Sequence, residues 1–279
     1  MTHVLIAALL GFLVAALVNR LADHLPARRY DALARRSPFS SAQSLPPVPP
    51  LFPREALWRW FGVTSLLRGE AQRRTRRYFA VELALSVGFA LTAHVYGLFL
   101  PVSFFYIYAA LFVLIAVIDI EHRWVLPSTL IALVASGILE WLLFGWRNFP
   151  QEMLRGAVNG FAIGLCLWAL GAGYGRLKKA LKGKSVGRTI FGGGDVWLMG
   201  ACGVLIGGEY ILFATLLMML SGGVAALSAV LWRLIGGGKR SRRRNALAIP
   251  YAPHILIGTS VWLYAPAAAS LFLRSLMQG

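Results

Sequence analysis

The sequence predicts an all-α integral membrane protein, a polytopic bundle of about eight transmembrane helices with one large cytoplasmic loop, and three observations carry that reading. Hydrophobic residues fill 58% of the 279 positions, above the roughly 45–50% of a soluble globular domain, and the mean hydropathy is +0.65. The apolar residues gather into runs near the length that crosses a bilayer, about 20 residues. The basic residues fall between those runs. Backbone groups facing lipid must be satisfied internally, so the runs must cross as helices; the alternating short segments of a barrel are absent.

Taken in order, the first run, 4–18, has no basic stretch before it and no small-x-small cleavage site after it, which predicts a retained first span over 1–20. Residues 21–78 form the predicted cytoplasmic loop. Within it the Pro- and Ser-rich stretch 37–53 cannot pack as a regular helix. Beyond that stretch Trp58, Trp60 and Phe61 are interleaved with Arg54, Arg59 and Arg68, the pattern of an interfacial helix with aromatic anchors and snorkelling arginines. Further spans are predicted near 79–100, 103–120, 127–146, 157–175, 195–208, 210–233 and 250–275. The span at 195–208 is short and glycine-rich.

The net charge of +17 would suggest nucleic acid in a soluble protein. Here it sets topology instead. Lys and Arg concentrate in 20–78, 176–190 and 233–244, which predicts those loops to be cytoplasmic, with the connections near Pro101, 147–155 and 207–209 and both termini outside. The lipid bilayer is therefore the expected partner and nucleic acid is not. The two cysteines, Cys166 and Cys202, lie singly in apolar runs, so neither a disulfide framework nor a zinc site is expected.

Only 11 residues are acidic, and carboxylates at membrane depth are functional candidates by default. In the predicted topology Asp119 ends the third span and Asp195 opens the sixth, at one depth and on one side. Two such carboxylates suit an aspartic protease: one, ionised, takes a proton from water, while the other, protonated, donates to the scissile carbonyl. Gly192, Gly193 and Gly194, just before Asp195, would let an extended substrate backbone come close. Glu82 is read as a cap or a partner of Arg76 or Arg77, Glu140 as too far toward the outer end, and Glu121 and His122 as facing headgroups. His94 and His254 are read as satisfied helix histidines. No G-x-S-x-G elbow and no H-E-x-x-H helix is present. The alternative use of such carboxylates is as proton or cation sites of a secondary transporter, but those sites lie near the midplane between repeated halves, and no internal repeat is visible.

Five segments together resemble the prepilin peptidases, also called type IV leader peptidases, GxGD-type membrane aspartic proteases. These are the opening span with Asn19, Leu25 and Pro26; RRYFAVEL at 76–83; IDIEHRWVLP at 118–127; FGGGDVWL at 191–198; and IPYAPHILIG at 249–258. The resemblance implies a peptidase domain over 79–279 that removes the basic leader of type IV prepilins or pseudopilins of pilus and type II secretion systems at the cytoplasmic face of the bacterial inner membrane. It also implies that Asp119 and Asp195 are the catalytic pair, with Glu121 and Gly192 to Gly194 beside the substrate. Three departures stand out. Trp197 replaces a frequent lysine, Leu126-Pro127-Ser128 follows the first aspartate segment, and 20–78 holds no cysteine where many members carry two CxxC pairs. The last departure implies no zinc and weak or absent N-methylation with S-adenosylmethionine, while proteolysis itself needs no cofactor.

Overall fold

The computed structural model describes residues 1–36, 48–49, 60–69, 73–145, 150–182, 191–235 and 250–265. Nearly all of the Pro-rich stretch 37–53, Trp58, Glu70, most of the basic loops 176–190 and 233–244, and the end of the predicted last span lie outside the described residues. The fold is all-helical and that of a polytopic membrane protein. Its elements are α1 (Thr2–Arg36), α2 (Gly62–Leu67), α3 (Arg73–Tyr96), a 3-10 turn (Leu100–Val102), α4 (Ser103–His122), α5 (Pro127–Phe144), α6 (Pro150–Lys182), α7 (Gly193–Ile206), α8 (Ile211–Ile235) and α9 (Ala252–Tyr264). Among the described residues, six helices are long and apolar enough to cross a membrane. The other two predicted spans appear as the shorter α7 and α9. α1 continues to Arg36, well past the predicted end of the first span at 20. The chain divides into two compact units, 1–122 and 123–279.

In the first unit α1 lays a stripe of small buried residues, Ala7, Gly11, Ala15, Val18 and Ala22, against α3. The three- and four-residue spacing keeps the stripe on one face. A Cβ at Gly11 would stand 2.5 Å from the Leu85 carbonyl oxygen, so the two backbones touch and only glycine fits. α3 answers with Val81, Leu85, Phe89 and Ala93, all buried at four-residue intervals. The opposite side of α1 exposes Leu5, Leu9, Leu13 and Leu17 in the direction lipid would occupy. α4 buries Phe105, Tyr108, Phe112 and Ile115 on its inner stripe. Of the aromatic residues ahead of α2, Phe61 stacks on Phe12 of α1 with ring centroids 4.8 Å apart, and Trp60 lies under the Arg20 guanidinium at 5.6 Å.

In the second unit α6 and α7 run antiparallel with their backbones in contact. Gly156, Gly160 and Gly164 of α6 face Gly203, Met199 and Val196 of α7, and a Cβ on Gly156 or Gly203 would collide with the carbonyl of the other. α7 also packs on α5 and α9, so almost all of its residues are buried. Gly207 ends it with φ 84, a conformation that favours glycine. α8 and α9 meet where Gly258 abuts the Ala214 backbone, and Trp262 stacks on Tyr210 at 4.8 Å.

Candidate active site

Asp119 continues the buried stripe of α4 (105, 108, 112, 115, 119) and is 5% exposed, about one turn before the helix ends at His122. The period that buries the aromatic residues therefore buries the carboxylate. After His122 the chain turns through Arg123, a non-glycine residue with φ 55.

An ion network stands at the same end of this unit. The Arg77 guanidinium donates to Glu121 Oε2 at 2.5 Å and to Asp23 Oδ1 at 2.8 Å, and lies over the Tyr78 ring with its carbon 4.7 Å from the centroid. Arg74 and the Tyr78 hydroxyl both donate to Asp23 Oδ2. Asn19, wholly buried, donates its amide to the Tyr78 carbonyl at 3.3 Å. Three helices, α1, α3 and α4, are thus tied together two residues from Asp119. Glu121, read from sequence as facing the headgroups, has Arg77 as its partner. Glu82 proves to be a cap rather than a partner of Arg76 or Arg77: its two carboxylate oxygens accept the Gly62 and Val63 N–H groups at 2.5 and 3.0 Å and anchor the start of α2.

Asp195 occupies the first turn of α7 in the second unit and is 8% exposed. Gly192, the residue that caps the helix, donates its N–H to Asp195 Oδ2 at 3.0 Å, while the Asp195 N–H returns to the Gly192 carbonyl at 3.1 Å. This reciprocal pair holds the carboxylate against its own helix start. Of the three glycines, Gly193 has no atom of the described residues within 4 Å of a Cβ position, whereas a Cβ at Gly194 would stand 3.0 Å from the Val125 side chain. Phe191 and Tyr251 meet edge to face at 5.4 Å.

Trp197 follows Asp195 by about 200° around the helix. It is 64% exposed and packs on Phe161 with centroids 5.0 Å apart, beside an apolar groove between α5, α6 and α7. An indole suits that surface as a lysine ammonium would not. His254 shares a hydrogen bond with Ser221 Oγ at 3.2 Å, as a satisfied helix histidine should. Glu140 is buried in α5. Among the described residues no cluster of His, Cys, Asp and Glu could hold a metal ion.

Sequence reasoning missed the roles of Asp23, Arg74, Arg77, Tyr78, Phe191 and Tyr251. For the network a signal exists in the sequence, since Arg77 and Tyr78 follow Arg74 by three and four residues on one helix face, but the same arginines also fit a basic loop that sets topology. Residues 105–227 match the type IV leader peptidase family, a stretch that holds both Asp119 and Asp195. Neither a curated protein nor a solved structure gives a match. With its helical membrane fold and both aspartate segments inside that match, the chain is similar to the type IV leader peptidases over residues 105–227.

Proposed function

We propose that this protein is a membrane aspartic endopeptidase that cleaves the basic leader from type IV prepilin or pseudopilin substrates at the cytoplasmic face of the bacterial inner membrane. Asp119 and Asp195 are its catalytic pair. The observation that carries the reading is the family match, which contains both aspartate segments. Burial of each carboxylate near a helix terminus supports it, because a buried aspartate is costly unless it has a task. The ionised member takes a proton from water as the water oxygen bonds to the scissile carbonyl carbon, and the protonated member gives its proton to the carbonyl oxygen. Collapse of the tetrahedral intermediate breaks the C–N bond, with the departing amine taking up the proton drawn from water. Gly193 leaves room for the substrate backbone, and Glu121, steadied by Arg77, meets the basic leader.

Incubating the detergent-purified protein with a panel of prepilin-like peptides tests this. Leader release is expected from the wild type, and Asp119→Asn and Asp195→Asn should each lower it at least about a thousandfold at normal protein yield, since an amide cannot exchange the required proton. Substantial cleavage by either variant would refute the pair.

A further inference from the structure

Asp119 lies in the last turn of α4, where a helix is least held by its own hydrogen bonds. The carbonyls of that turn have no partner further along the helix, and the backbone leaves it at Arg123 with φ 55. A reacting carboxylate placed there needs support from outside the helix. We propose that Arg77 supplies it as a positioning residue, holding the last turn of α4 through Glu121 and so fixing the Asp119 carboxylate in its working geometry. The proposal rests on the assignment of Asp119 to catalysis.

The residues around that turn point to this role. Glu121 is locally a poor choice, because a carboxylate at a helix C-terminus stands at the negative end of the dipole. What offsets it is the Arg77 guanidinium, 2.5 Å away with a side chain only 12% exposed. That guanidinium is itself held, since it donates to Asp23 Oδ1 at 2.8 Å and lies over the Tyr78 ring. It therefore acts as a fixed post on α3, and its planar fork serves carboxylates from α1 and α4 at once. Glu121 follows Asp119 by two residues, about 200° around the helix, so the grip on the turn does not occupy the face that carries Asp119. A second tie acts on the same turn, where the His122 ring meets Tyr30 of α1 edge to face at 6.2 Å. Such holding matters for rate, because a displacement of about 1 Å at a reacting group can cost about a hundredfold.

The test uses the full-length protein in detergent and a prepilin-like peptide that the wild type cleaves. Arg77→Met should lower kcat by about thirtyfold or more with a smaller change in KM, since lost positioning appears in kcat and a lost leader contact of Glu121 in KM. Arg77→Lys, which keeps the charge but not the fork, should recover part of that loss. Glu121→Gln should lower kcat as well, and joining it to Arg77→Met should lower kcat little beyond Arg77→Met alone, because the two residues act as one unit. Glu82→Gln is the control. It loosens the start of α2 in the same unit, and at a temperature where it stays folded its kcat should remain within about twofold of wild type. An unchanged kcat in Arg77→Met, a loss confined to KM, fully additive losses in the double variant, or equal kcat losses in Arg77→Met and Glu82→Gln would each overturn the positioning role and leave the peptidase reading intact. If Arg77→Met fails to fold, Arg77→Lys and Glu121→Gln decide by whether kcat falls or only KM moves. Absence of cleavage of every prepilin-like peptide by the wild type would overturn both.

Discussion

At the scale of single residues, the buried carboxylates divide by what surrounds them. Glu82 and Asp195 both accept backbone N–H groups at a helix start, but Glu82 spends both oxygens on α2 whereas Gly192 occupies one oxygen of Asp195. The first arrangement ties α3 to α2, and the second closes the start of α7 on itself. Glu82→Ala should accordingly destabilise the protein by about 2–4 kcal/mol, through two lost charge-assisted bonds and a buried Gly62 N–H left without an acceptor. Glu82→Gln, which retains one good acceptor, should lose roughly half as much. Denaturation of the detergent-solubilised protein measures both, and equal stability of Glu82→Ala and wild type would remove the capping role.

At the scale of elements, glycine decides which helices touch. α7 brings Asp195 to its place because Gly156 and Gly203 let it lie directly on α6. Gly156→Ala or Gly203→Ala should force the helices apart, lower stability by about 2 kcal/mol or more and sharply reduce peptidase activity, because the first turn of α7 moves with the rest. Gly173 and Gly175 make the contrast within the same α6. A Cβ at either meets no atom of the described residues within 4 Å, so alanine there should be neutral or stabilising by up to about 1 kcal/mol through better helix propensity. Thermal unfolding of the four variants orders them, and similar losses at all four positions would contradict the packing argument. The Arg77 network does for the first unit, through charge, what the glycines do for the second through contact: one guanidinium joins α1 and α4 across α3.

For the whole molecule the governing term is the bilayer. Most of the 28 Lys and Arg residues lie in three loops, and we expect those loops to face the cytoplasm. In a background of Cys166→Ser and Cys202→Ala, cysteine at Ser185 or Ser241 should react with an impermeant thiol reagent only after the membrane is opened, while cysteine at Asn148 should react in intact cells. The reverse pattern would invert the topology and place the proposed leader cleavage on the wrong side.

Read alone, the sequence established the helical membrane class and the place of six long apolar helices, because apolar runs of bilayer length leave the backbone no alternative to a helix. It also singled out Asp119 and Asp195, since acids are scarce and a charge at membrane depth is conspicuous. The period of α4 and the glycines before α7 were likewise readable in one dimension. Partner choice was not. Arg77 and Glu82 are five residues apart, which puts them about 140° apart around α3. Each therefore reaches different elements: Arg77 meets Asp23 of α1 and Glu121 of α4, and Glu82 meets the start of α2. Phe61 also stacks on Phe12 of α1, a contact that no linear reading names. The cavity among α6, α8 and the segments leading into α7 and α9 is bounded by residues from 167 to 251, so no local pattern could announce it. Such features depend on which faces of distant helices meet, and that is settled only when their small-residue stripes lock together in three dimensions.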